Sequence, residues 1–209
     1  MTIDSLGDIV SGESDNLQKE DELKDLNDYS GEFRPDAKLQ DFSKDTIARL
    51  WRSNSLVYMM LGGMWFSVVE EKVGKEKALE WEKEVWLKKG GCENDVRGVM
   101  DILNITGNDV ATLFKAFQFA PGEAGWIDVE FELKDNNHGV LTATQCPALV
   151  LFELGGDTVR QKHACVDICV PGMQLTGEFI NPAMKCRALK LPPRKSSDDI
   201  ACQWEFTID

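Results

Sequence analysis

Apolar side chains recur at three- and four-residue spacing through the first part of the chain, and at two-residue spacing from about residue 126. Ser43, followed by Asp45, reads as a helix N-cap with an acid in the first turn. The helical pattern then runs to about residue 73, where Gly74 closes it. Its 55–69 section (Leu56, Val57, Tyr58, Met59, Met60, Leu61, Met64, Trp65, Phe66, Val68, Val69) is apolar on all sides, which predicts a central, buried helix. Gly62 and Gly63 weaken a helix, so their presence predicts close backbone approach or room for a ligand. Further helices are predicted over 75–89, near 93–104 and over 108–118.

Pro121-Gly122 ends this helical half. Over 126–133, Ile127, Val129, Phe131 and Leu133 face one way and Asp128, Glu130 and Glu132 the other, the pattern of a half-buried strand. A turn over 135–139 leads into a second strand over 140–146. A short helix over 147–154 follows, then a largely helical stretch over 158–180 that Pro171-Gly172 interrupts. Strands over 184–189 and 202–208 finish the chain, joined through a loop at 192–199. This order predicts an α+β fold, a helical N-terminal half packed on a four-stranded, mostly antiparallel sheet with further helices.

Charge adds a boundary. The chain has 36 acidic and 23 basic side chains, net −13, and residues 1–36 carry eleven acids against three bases, or −8. That stretch predicts a disordered acidic tail ahead of a single domain over 37–209. The balance argues against nucleic acid and against an anionic membrane surface as partners. The longest apolar run is short of a membrane span and no secretory pattern opens the chain, so a cytoplasmic location is expected. There, six cysteines are thiols or metal ligands rather than disulfides.

Five cysteines and His163 fall after residue 145. Cys165 and Cys169, four apart, share one helix face, as two-ligand metal motifs require. If the helix starts near Pro171 instead, Cys169 stands at a helix N-terminus that favours a thiolate. Cys146 lies on the polar face of its strand, and three thiolates suit zinc or iron; buried or surface thiols are the alternative. Cys186 and Cys202 read as core, and Cys92 as incidental. His163 and Asp167, four apart, make a candidate acid–base pair, with a solvated surface pair as the simpler reading. Glu70, at the end of the apolar helix, is a candidate general base or else a partner of Lys72 or Lys75. Tyr58, Gly62, Trp65 and Phe66 are candidates for an apolar pocket, or plain core.

Several segments together carry a resemblance: Gly-Gly-Met-Trp-Phe-Ser-Val-Val-Glu-Glu at 62–71, the 77–86 segment ending in Trp86, Thr-Gln-Cys-Pro at 144–147, the Cys165/Cys169 pair, Asn181-Pro182, and Cys-Gln-Trp-Glu-Phe at 202–206. They resemble a family of uncharacterised bacterial and archaeal proteins described as similar to L-2-amino-thiazoline-4-carboxylic acid hydrolase. That hydrolase family looks related in build to vinyl-4-reductase-type small-molecule-binding domains. The resemblance, over about residues 50–209, implies an α/β sandwich with an apolar pocket, a homodimer, and a metal near Cys146, Cys165 and Cys169. The expected function is binding of a small apolar, aromatic or heterocyclic molecule beside a cysteine-ligated metal, with metal-dependent hydrolysis of a small cyclic C–N or C–S compound. The alternatives are a non-catalytic carrier or sensor module with structural zinc, and a structural dimer whose thiols bind nothing.

Overall fold

A computed structural model describes residues 25–209. The chain divides into two units, Met1–Asn54 and Ser55–Asp209, so the boundary falls inside the first long helix rather than at the end of the acidic stretch. In the first unit, Leu26 bridges Phe42, and Arg34 donates its backbone N–H to the Tyr29 hydroxyl at 2.6 Å. Residues 25–36, read from composition as tail, therefore carry local structure; the remainder of that tail lies outside the described residues. Ser43 caps helix α1 (Lys44–Val73), accepting the Thr46 N–H at 3.3 Å.

In the second unit, Gly74 breaks the chain at φ +87 before α2 (Lys75–Lys88), a conformation that glycine reaches without strain. Helices α3 (Gly91–Leu103) and α4 (Val110–Phe117) follow, the latter capped by Asp109, which accepts the Thr112 N–H at 2.8 Å. The sheet is built from β1 (Asp128–Asp135), β2 (His138–Gln145), β3 (Lys185–Lys190) and β4 (Cys202–Thr207), in the order β1-β2-β4-β3 with every pairing antiparallel. Between β2 and β3 run α5 (Pro147–Gly155), α6 (Thr158–Lys162), a π-helical turn (His163–Ile168) and α7 (Cys169–Ile180). The predicted α+β architecture is present. His138 begins β2 instead of lying in the turn.

The core lies between α4, α3 and the sheet: Val96, Leu113, Phe117, Leu141, Met184, Trp204 and Phe206 are fully enclosed. Phe114 packs on Phe131 at 5.1 Å and edge-on to Phe206 at 5.8 Å. Each such large side chain contributes about 1.5–3 kcal/mol by leaving water.

Two expectations change. The proline does not break the last helix: Pro171 stands in the first turn of α7, where its missing N–H costs little, directly after the π turn. The 55–69 section is not buried all round. Phe66 is enclosed, yet Val57, Met60, Leu61, Met64 and Trp65 are each more than half exposed. An apolar pattern around a whole helix reports that it avoids water, without saying which chain covers it.

Candidate functional site

Four of the six thiols come together from separate elements of the second unit. Cys146 is the residue just before α5, Cys165 lies in the π turn, Cys169 opens α7 and Cys202 opens β4, paired across the sheet with Ala143. Cys146, Cys165 and Cys202 pack on Ala143, Leu149 and Ala201, while Cys169 and Cys202 also border the main core. Cys202 thus joins the two clusters, and the Trp204 indole N–H donates to its sulfur at 3.1 Å.

Burial is the largest influence on all four, because a thiolate loses its hydration there. Neighbouring thiols add to it for Cys165, Cys169 and Cys202. Cys165 is pushed up to about 12 by burial, then by Cys146 and Glu153. Cys202 reaches about 12 through burial, then Cys146, Glu123 and Cys165, although the Trp204 N–H opposes the rise. Cys169 is raised well above the ordinary thiol value by burial, then by the other three and Glu123. Cys146 is raised by burial against the opposing pull of the Leu149 and Ala148 N–H groups and of Arg194. Those N–H groups face the sulfur, but neither closes a capping hydrogen bond. The four are therefore neutral S–H groups at pH 7. As placed, no three His, Cys, Asp or Glu side chains among the described residues stand ready to hold a metal ion.

A carboxyl pair adjoins the thiols. Asp95, from α3, accepts the Gly122 N–H with both oxygens, at 3.0 and 3.1 Å. A Cβ at Gly122 would stand 2.7 Å from an Asp95 oxygen, so a larger residue there would push that carboxyl aside. Burial raises Asp95 to about 6 against that hydrogen bond. Glu123 is raised to about 8 by burial and then by Asp95. The order follows from electrostatics: Asp95 ionises first, and its charge then holds the proton on Glu123. Cys92 faces the same pair and is raised to about 11 by burial, Glu123 and Asp95. Its sulfur would lie 2.9 Å from a Cβ at Gly172, so α7 passes it closely.

Cys165 also forms part of the wall of a ≈210 Å³ cleft, with Gln161, Lys162, Val166 and the Pro192-Pro193 loop. That loop is pinned by Arg194, whose side chain is 4% exposed and whose guanidinium forks onto Glu153 of α5.

Of the residues expected to act, His163 and Asp167 lie side by side in the π turn. Glu70 is half-buried near the end of α1, and the carboxyls whose charge bears on the thiols are Glu123 and Glu153. His163 is buried, with Nδ1 3.8 Å from Asp167 and Nε2 3.5 Å from Glu82. Neither His163 Nε2 nor Glu82 Oε2 has a hydrogen-bond partner. Burial lowers His163 and raises Glu82, so each favours its neutral form. Asp167 is partly exposed beside them. Tyr58 and Trp65 are exposed and Gly62 has open space around it, whereas Phe66 is covered by the Arg160 guanidinium at 3.6 Å. Spaced i, i+4, i+7 and i+8, these four positions lie along one side of α1, and among them only Phe66 is enclosed.

A family model matches residues 40–208. The chain belongs to DUF6125, a family of unknown function. No curated protein and no solved structure matches it. In this DUF6125 member, sequence reasoning missed Glu123, Asp95 and the place of Cys202. Glu123 follows the Pro121-Gly122 break and Asp95 sits among other acids of α3, so neither carried a spacing signal. Cys202 alternates with the apolar Trp204 and Phe206, which assigned it to the core face; its strand starts where that face meets the thiols.

Proposed function

We propose that this protein binds a small molecule beside a thiolate metal centre, formed by Cys146, Cys165, Cys169 and Cys202, with zinc as the ion. The observation that supports this is the convergence of four thiols, three of which (Cys165, Cys169 and Cys202) are raised further by neighbouring sulfurs. Such a set stays protonated only while no cation is near, and a bound divalent ion draws the protons off. Soft sulfur donors select zinc or iron over the hard cations. Four thiolates complete a tetrahedral shell, the arrangement of a structural site with no open position. Capture requires the side chains to turn together, since they are not at ligating geometry as placed. The cleft beside Cys165 is the place we assign to the small apolar or heterocyclic ligand. All six cysteines are free, which suits the reducing cytoplasm that the proposal includes. No helix among the described residues is long and apolar enough to cross a membrane.

A second reading is favoured by the Asp95–Glu123 pair. A carboxyl at about 8 exchanges protons near neutral pH, as hydrolysis of a small cyclic C–N or C–S compound needs. Here Cys146, Cys165 and Cys169 hold the metal, which when bound supplies Lewis acidity. Glu123 then takes the proton-transfer role expected for Glu70, and the His163–Asp167 pair stands in the π turn itself.

Elemental analysis of the full chain tests the first reading. One zinc per chain is expected, with loss in both Cys169→Ser and Cys202→Ser. Stoichiometric metal in both variants ends it. For the second, metal-replete protein is assayed on thiazoline and cyclic amidine substrates. Turnover that falls at least a hundredfold in Glu123→Gln supports acid–base work of the expected size. No turnover with metal bound leaves the ligand-binding reading alone.

A further inference from the structure

We propose that Glu82 and His163 are the two protein ligands of a second divalent-ion site, of the zinc type, which ties α2 to the π turn. This inference goes beyond the thiol centre and uses none of its sulfurs. Glu82 comes from α2 and His163 opens the π turn, and Oε2 of the one stands 3.5 Å from Nε2 of the other. Both atoms are buried, and neither has a hydrogen-bond partner. The His163 side chain is only 8% exposed, so bulk water cannot serve in its place. The outer atoms of the pair are already engaged. Oε1 of Glu82 accepts from the Arg160 guanidinium at 3.3 Å, and Nδ1 of His163 faces Asp167 at 3.8 Å. A carboxylate on one ring nitrogen, with the other nitrogen left free, is how a metal-binding histidine is held.

The separation decides what fits between the two atoms. A direct N–H···O hydrogen bond runs at about 2.7–3.2 Å, shorter than the gap. A bridging water, roughly 2.8 Å from each atom, would subtend an angle of only about 80°, well below its tetrahedral preference. An ion about 2.1 Å from each subtends about 110°, the angle of a tetrahedral shell. Imidazole beside a carboxylate suits zinc and its neighbours rather than the hard cations. Asp167 serves the other ring nitrogen and is not a third ligand, in keeping with the lack of a ready three-residue metal group among the described residues. Water completes the shell, entering past Glu82, whose side chain is 21% exposed. Lys83 and Arg160 lie near enough to oppose a cation, so this site fills after the thiols.

Equilibrium dialysis of the full chain against rising free zinc tests this, with nitrogen NMR of the imidazoles as the site-specific readout. Beyond any zinc held by the thiols, one further equivalent is expected, and it should persist in Cys169→Ser and Cys202→Ser. The chain has two histidines, so only His138 and His163 report. As the further equivalent binds, the His163 Nε2 resonance should move to that of a metal-bound nitrogen while His138 stays in place. Glu82→Gln, which keeps the shape and an oxygen for Arg160, should weaken this equivalent at least roughly a hundredfold, and Asp167→Asn about tenfold. Should Glu82→Gln fail to fold by circular dichroism, Asp167→Asn and the wild-type spectra still decide. A His163 resonance unmoved at saturating zinc overturns the proposal and leaves a direct His163–Glu82 contact. So does a further equivalent that Glu82→Gln binds as tightly as the wild type. A chain that shows the His163 shift but no thiol-bound zinc supports this site and ends the thiol reading alone.

Discussion

Glu123 keeps its proton to about pH 8 because burial and the Asp95 charge both penalise its ionised form, whose ordinary pKa is 4.5. Folding therefore favours the protonated group. That contribution is fully present below 4.5 and is lost as the pH rises through about 8. Asp95 behaves likewise, from 3.8 to about 6. Glu123→Gln should accordingly gain stability on the order of 5 kcal/mol at pH 9 and almost none at pH 4, read from urea unfolding at each pH. The thiols follow the same sign at higher pH: Cys165 and Cys202 contribute below their ordinary 9.0 and lose it as pH rises through about 12. At pH 8, alkylation should therefore be slow, with cleft-facing Cys165 reacting ahead of the enclosed Cys169; mass mapping after a timed iodoacetamide pulse decides it. Equal rates at both positions would contradict the assigned burial. Cys165 and Cys169 were legible as a pair because four-residue spacing is a one-dimensional signal. Glu123 was not, since a loop acid becomes unusual only through what surrounds it.

Among the elements, local signals did most of the work. Ser43 and Asp109 accept N–H bonds where their helices begin, and Gly74 and Gly90 take the positive φ that ends one helix and admits the next. Asp109→Ala should cost about 1 kcal/mol in chemical denaturation, the usual loss of a helix cap. Its carboxyl is held below the ordinary range chiefly by Thr112, so wild type and variant should converge as acid protonates it. Gly139 serves packing rather than a turn, since a Cβ there would meet the Phe114 ring at 2.5 Å. Gly139→Ala should destabilise by about 1–3 kcal/mol through overpacking, again read by denaturant unfolding. The strand alternation of β1 was plain in the sequence. The π turn was not, because no residue preference distinguishes it from an α-helix, and Pro171 reads as a breaker until its place in a first turn is known.

At the scale of the molecule, metal binding couples to folding. If zinc binds the four thiols only in the folded state, hundredfold excess over its dissociation constant should stabilise the full chain by about 2.7 kcal/mol. Thermal unfolding with zinc and with a chelator reads this, and Cys169→Ser should abolish the difference. The sequence by itself determined the order and type of the elements, the α+β class and three of the four clustered thiols, because periodicity, caps and short spacings are local properties. Tertiary structure decided the rest. It brought Cys202 to the other thiols across the β2–β4 pairing, set Glu123 against Asp95, and left Trp65 and its neighbours facing outward. Each of those depends on contacts between residues far apart in the chain, which a hydrophobic pattern can demand but cannot assign.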